Sequence, residues 1–148
     1  MVMPIYRSDF DIHVSDSKVW DILTDFEKYT EWNPSLPFIS GELKEGSVVS
    51  LRLGFPGKKP MDVTARLEHV IPNKKLTWRG KVGASWLFSG YRIFEINVLE
   101  QGKIKFTHVE DISGLLAPVF KIFMGNAVQQ SHNDFNEALR KRAEELAE

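Results

Sequence analysis

His108 and Glu110 stand two residues apart in a stretch that otherwise reads as a half-buried strand. Across Ile104 and the following KFTHVEDISG (105–114), Ile104, Phe106 and Ile112 fall on one face. Lys105, Thr107 and Asp111 fall on the other, as the two-residue period of a strand requires. His108 and Glu110 share the apolar side. A histidine titrates near neutral pH and can act as general acid or base on an enolisable, hydrophobic substrate. Glu110, on the same face, can orient it or balance its charge, which would make both residues catalytic. The same groups can instead be the few polar contacts that orient a ligand in an apolar pocket. A third reading is structural: an ion pair involving Glu110, with His108 merely hydrogen-bonded. Because desolvation consumes most of a buried pair's attraction, stability alone is a weak reason to keep one.

The hairpin that carries these residues has one register that agrees with its apolar face. A loop over residues 99–103 sets Ile96 opposite Phe106, Phe94 opposite His108 and Arg92 opposite Glu110. Phe94, Ile96 and Val98 then share the face of Ile104 and Phe106, as opposed residues of an antiparallel pair must. A slip of one residue would destroy that agreement. No serine-nucleophile motif or glycine-rich phosphate loop accompanies the pair. Joining His69 to His108 and Glu110 matches no standard metal-ligand spacing, so neither a metal nor a cofactor is expected. His69 continues the face of Val63 and Leu67 only if a bulge near Val70 reconciles it with the face of Leu76 and Trp78. His13 and His132 are placed on the surface and given no role.

The elements that must position these groups follow from periodicity. Residues 5–13 read as a strand with Tyr6, Phe10 and Ile12 on one face. Ser15 is a good N-cap for the helix that follows, with Val14 stapled to Val19. Val19, Ile22, Leu23 and Phe26 make its buried stripe. EKYTEWNPSLP holds a second short helix, ended by the Asn33-Pro34 and Leu36-Pro37 steps. Residues 38–113 alternate as about six antiparallel strands, punctuated by Gly46, PGKKP, PNKK, Gly83 and EQGK. Beyond Pro118 the period changes to that of a helix reaching about Leu146. Phe120, Met124, Ala127, Ser131, Phe135, Ala138 and Leu139 form its stripe. Such a helix must bury that stripe against the concave face of the sheet, and the small Ala127 and Ser131 leave room for a cavity.

Composition excludes several classes. The chain has 148 residues, 43% hydrophobic, and reads as one domain over 1–148. It has no cysteine, which rules out a disulfide framework and a thiol nucleophile and fits a cytoplasmic location. A net charge of −1 gives no basic footprint for nucleic acid. The most apolar run, LLAPVFKIFM, is broken by Pro118 and Lys121, so no transmembrane segment is expected.

Three segments carry a resemblance over nearly the whole chain: DFEKYTEWNP after the first helix, LTWRG in the middle, and FTHVEDISGLLAP leading into the last helix. Together with the element order, they resemble the START-like, or SRPBCC, superfamily, which includes polyketide cyclase/dehydratase-like proteins, plant hormone-binding proteins and lipid-transfer domains. The resemblance implies a helix-grip α+β fold, in which a curved antiparallel sheet of about seven strands wraps around a long C-terminal helix. It also implies a cavity for a small hydrophobic or amphipathic ligand. Its lining is placed at Trp78, Arg92, Phe94, His108, Glu110, Phe120, Met124, Ala127 and Phe135. GFPGKKP resembles the gate loop at the mouth of such cavities and KVGASW the neighbouring lip. The mouth is thus placed at Trp32, Phe55, Pro56, Gly57, Ser85 and Trp86. Fold does not select among functions here. The expectation is ligand binding. The alternatives are a cyclase/dehydratase using His108, and a partner-binding module of the co-chaperone activator kind, which would show a collapsed interior and an exposed apolar patch.

Overall fold

The computed structural model of the chain describes residues 5–84 and 86–147. Strand β1 (Ile5–Ile12) leads into α1 (Asp16–Thr24), a 3-10 turn (Phe26–Lys28) and α2 (Tyr29–Trp32). Six strands follow: β2 (Phe38–Ser40), β3 (Val48–Leu53), β4 (Met61–Ile71), β5 (Lys75–Lys81), β6 (Ser89–Glu100) and β7 (Lys103–Ser113). Helix α3 (Ala117–Ala147) closes the series. The strands form one curved antiparallel sheet in the order β1-β7-β6-β5-β4-β3-β2, gripping α3 in the helix-grip arrangement that the element order predicts. Consecutive strands pair as hairpins, and β1 is recruited to the far side of β7.

Local causes account for the boundaries. Ser15 Oγ accepts the Lys18 N–H at 3.3 Å, which caps α1, and Val14 and Val19 are both buried. Asn33 Oδ1 accepts the N–H groups of Ser35 and Leu36, a local turn that together with Pro34 ends α2. At the entry to α3, Gly114 has a φ of +107°, and a Cβ there would lie 2.6 Å from the Leu87 carbonyl oxygen. Only glycine permits this turn. The Leu115 and Leu116 N–H groups then bond to the carbonyls of Trp86 and Leu87, fastening the helix start to the β5–β6 loop.

The inward side chains run across the sheet in rows. One row is Val49, Ala65, Gly80, Gly90 and Ile112, contributed by five adjacent strands. The next is Leu67, Trp78, Arg92, Glu110 and Tyr6. The third is Val70, Leu76, Phe94, His108 and Ser8. The predicted β6–β7 register is thus present, including Arg92 opposite Glu110 and Phe94 opposite His108. The bulge in β4 sits between Leu67 and His69, two residues before the predicted place, and turns His69 outward against Thr77. Val98 stands opposite Ile104, on the expected face, but that face is not covered at this end of the hairpin. It is 59% exposed beside a bulge at the hairpin end, whereas Ile104 opposite is shielded by its other neighbour, Ile12.

Candidate functional site

The first row makes the site by what it lacks. Gly80 and Gly90 are paired across β5 and β6, so no side chain rises from the sheet at that point. A Cβ added at Gly90 would meet nothing within 4 Å. Above this floor, α3 contributes Phe120 and Val128, while Leu53, Phe55, Val63 and Phe88 form the side walls. Phe88 and Phe120 meet edge-to-face, with centroids 4.9 Å apart. The space between is an apolar cleft of about 90 Å³. It ends, toward the packed core, on the row of Trp78, Arg92 and Glu110. The hairpin over residues 54–60 reaches it through Phe55. That hairpin is tied down by the Ser131 hydroxyl, which donates to the Gly54 carbonyl at 2.7 Å.

At the inner end the polar groups form one continuous network. Arg92 donates to Glu110 Oε1, and both side chains are nearly buried. His132, from α3, contacts Glu110 Oε2 through Nδ1 at 2.7 Å and Ser8 Oγ through Nε2 at 2.9 Å. Because an ionised carboxylate only accepts, Nδ1 carries the proton on that side. In the neutral ring, Nε2 is then the acceptor for the Ser8 hydroxyl. His108 contacts the Asn136 Oδ1 through its Nδ1 at 2.7 Å and is stacked on His132, centroids 4.0 Å apart and planes at 12°. Its Nε2 is buried without a hydrogen-bond partner, 3.9 Å from Glu110 Oε2.

The electrostatics follow from this packing. Burial opposes ionisation of Glu110, yet Arg92, together with the His132 hydrogen bond and the other histidine, overrides it and lowers the carboxyl to about 2. Burial is also the main influence on His108 and moves it well below its ordinary value, against the pull of Glu110. His108 is therefore a neutral ring whose bare Nε2 faces a carboxylate. Arg92 uses one nitrogen on Glu110, leaving further guanidinium N–H groups available at the cleft wall. The guanidinium lies over the rings of Trp78 and Phe135, each centroid 5.8 Å away.

His108, Glu110 and His132 each bring a possible metal-ligand atom to within 4.8 Å of the others. The stacked imidazoles keep their in-plane lone pairs in nearly parallel planes, so the pairs do not converge on one ion without a ring rotating. Arg92, on the same carboxylate, also opposes a cation. The cluster fits a hydrogen-bonded network better than a metal centre.

Of the residues expected to line the cavity, Trp78, Arg92, Glu110 and Phe120 do so. Phe94, His108 and Phe135 are fully buried behind that wall, packed on one another with centroids 4.9 to 5.1 Å apart. His108 therefore has no contact with the cleft. Met124 and Ala127 are half-buried and off its wall, because α3 turns Val128 inward rather than Ala127. Of the expected mouth, Phe55 lines the cleft, and Pro56 and Gly57 form the exposed hairpin tip. Trp86 faces outward, and Trp32 packs on Tyr29 and Phe135 away from the cleft; Ser85 lies outside the described residues. His13 is exposed, as expected.

His132 is the main correction. It is buried, not on the surface, and joins Ser8 to Glu110. The true inward stripe of α3 includes Val128, His132, Phe135, Asn136, Leu139 and Ala143. A stripe chosen by hydropathy passes over His132 and Asn136, but their spacing of four and eight residues from Val128 was the available signal. Gly80 and Gly90 were missed because an absent side chain has no periodicity.

Known structures share the fold. An aromatase/cyclase from Streptomyces sp. R1128 superposes with a TM-score of 0.82 at 15% identity, covering 99% of this chain and 97% of that one. A START superfamily protein from Mycobacterium smegmatis gives 0.73 at 19% identity, with 96% and 98% covered. A hypothetical protein from Helicobacter pylori gives 0.76 at 17%, with 96% and 89% covered. At these identities the likeness is one of fold. No curated protein matches the sequence. The family described as "Polyketide cyclase / dehydrase and lipid transport" matches residues 3–144, nearly the full length, and the chain belongs to it.

Proposed function

We propose that the protein binds a small amphipathic molecule, its apolar end in the cleft over Gly80 and Gly90 and its polar group on Arg92 and Glu110. One observation carries the reading: a gap in the sheet's inner face, walled by apolar side chains, ends on a charged pair with unused hydrogen-bond donors. At about 90 Å³ the cleft is smaller than the roughly 300–1,000 Å³ of pockets that engulf drug-sized ligands. The ligand is therefore one whose apolar end enters while the remainder occupies the mouth beside Phe55.

Binding is favoured over acid–base catalysis by the state of the two candidate groups. His108 is separated from the cleft by the second row, and Glu110 is a weakly basic carboxylate already held by Arg92 and His132. The test uses anilinonaphthalene sulfonate, whose rings match the apolar walls and whose sulfonate matches Arg92. Titration should shift the indole NMR signal of Trp78 in the wild-type protein. Gly90→Leu should abolish that shift at an unchanged or higher thermal midpoint, because the new side chain enters open space and a strand glycine is itself unfavourable. A Trp78 signal that still responds in Gly90→Leu would remove the cleft as the binding site.

A further inference from the structure

The polar network behind the cleft has a far end that a ligand in the cleft does not use. Ser8 lies on β1, the edge strand of the sheet, which has no strand neighbour on its other side among the described residues. Ser8 is half-buried, whereas His132 beneath it is 1% exposed. Three contacts follow one another inward. Ser8 Oγ meets His132 Nε2 at 2.9 Å, His132 Nδ1 meets Glu110 Oε2 at 2.7 Å, and Arg92 occupies Glu110 Oε1.

The carboxylate fixes the direction of these hydrogen bonds. Glu110 is kept ionised against its burial by Arg92 and the His132 hydrogen bond, so it only accepts. Nδ1 of the neutral His132 therefore carries the proton, Nε2 presents a lone pair, and the Ser8 hydroxyl donates to it. A hydroxyl donating to an imidazole whose other nitrogen donates to an acid is the order that makes serine a nucleophile, and it recurs on unrelated folds. A hydroxyl beside a histidine is not sufficient. His69 Nδ1 lies 2.8 Å from Thr77 Oγ1, but Thr77 is fully buried and out of a substrate's reach. His108, stacked on His132 at 4.0 Å, is kept neutral by its burial, so a proton arriving on His132 meets no second cation in the stack. On the same face of β1, Tyr6 is buried and Phe10 half-buried, which gives a short acyl chain an apolar seat on either side of Ser8.

We propose that Ser8 is an activated nucleophile that takes the acyl group of a small activated ester and passes it to water, with His132 as general base and Glu110 orienting it. In the first step Oγ bonds to the carbonyl carbon as its proton passes to His132 Nε2. The bond to the leaving oxygen then breaks, and that oxygen takes the proton from His132. In the second step a water gives a proton to Nε2 and its oxygen to the acyl carbon. The bond to Oγ breaks, Oγ takes the proton back, and acid and alcohol are released without electron transfer. This chemistry is separate from the cleft: Ser8, His132, Tyr6 and Phe10 are not on the cleft wall, and the two sites share only Glu110.

The experiment treats the full chain with a fluorophosphonate probe and, separately, with p-nitrophenyl acetate. An activated serine displaces fluoride and keeps a stable phosphonyl ester, so peptide mass spectrometry should place the adduct on Ser8. The acetate ester should be hydrolysed, and Ser8→Ala should lower that rate at least about tenfold. Ser8→Cys gives a readout that a merely structural hydrogen bond would not move. Because the chain has no cysteine, the introduced thiol is the sole one. Iodoacetamide at neutral pH should alkylate it at least about tenfold faster than the thiol of Ser50→Cys, at an exposed position of β3. Absence of phosphonylation at Ser8 overturns the proposal, as does a Ser8→Cys thiol no more reactive than that of Ser50→Cys. Adducts scattered over exposed side chains, with hydrolysis unchanged in Ser8→Ala, would assign the ester cleavage to general surface chemistry and overturn it equally.

Discussion

Glu110 is held from two sides, by Arg92 on one oxygen and His132 on the other, where little solvent reaches. Removing one member of such a pair strands the other as a desolvated charge, at a typical cost of about 3–5 kcal/mol where burial is complete. Arg92→Met should therefore be strongly destabilising at neutral pH. Arg92→Met combined with Glu110→Leu should recover part of the loss, the remainder reflecting the unpartnered His132. Urea denaturation of the two single variants and the double gives the coupling directly, and additive effects would mean that the two charges do not depend on each other. The pair was legible in the sequence because strand alternation and one hairpin loop length suffice to set Arg92 opposite Glu110. The third partner was not. A polar residue on the buried face of a helix breaks the hydropathy pattern that identifies the face, so His132 read as solvent-facing.

At the scale of elements, α3 is held to the sheet by rings. Phe135 is fully buried, stacked on Phe94 at 5.1 Å, tilted against His108 and edge-on to Trp32. It joins the helix to both β6 and α2. Phe135→Ala should cost about 3–5 kcal/mol, the range for removing a large buried ring, because the surrounding rings cannot collapse fully into the space. Chemical denaturation measures it, and a loss near that of an exposed site would show that α3 is not seated as described. Ser15→Ala should cost only about 1 kcal/mol, the value of one helix cap. The elements themselves were readable from period alone, two for the strands and 3.6 for α3. The rotation of α3 about its axis was readable only in part, since Ala127 and Val128 are both small enough to belong to either face.

For the whole molecule, acid should remove stability in two stages. His108 binds a proton less readily in the folded protein than at its ordinary 6.5, so the unfolded chain takes up that proton first as pH falls. Its contribution is complete above 6.5 and declines below. Glu110 is lowered from 4.5 to about 2, so its contribution is complete above 4.5 and declines toward about 2. Each stage is limited to about 1.4 kcal/mol per pH unit. The urea midpoint should accordingly fall between about pH 7 and about pH 5 in the wild type, and be flatter there in His108→Phe. A wild-type profile that is level over that interval would mean that His108 is not held neutral by its surroundings.

The pairing of β1 with β7 has a temporal consequence. Ser8 and His132 touch across 124 positions of sequence, and residues 5–12 have no neighbour in the sheet until residues 104–111 exist. During synthesis β1 must wait for nearly the whole chain to emerge before it can be zipped in, and contacts of such long range form late and slowly. The hydrogen-bonded chain from Ser8 to Arg92 is thus completed only when the first strand and the last helix have met across β7. A nascent or truncated chain that stops short of His132 can build the β3–β6 meander with its paired glycines, but not the full polar network at the end of the cleft.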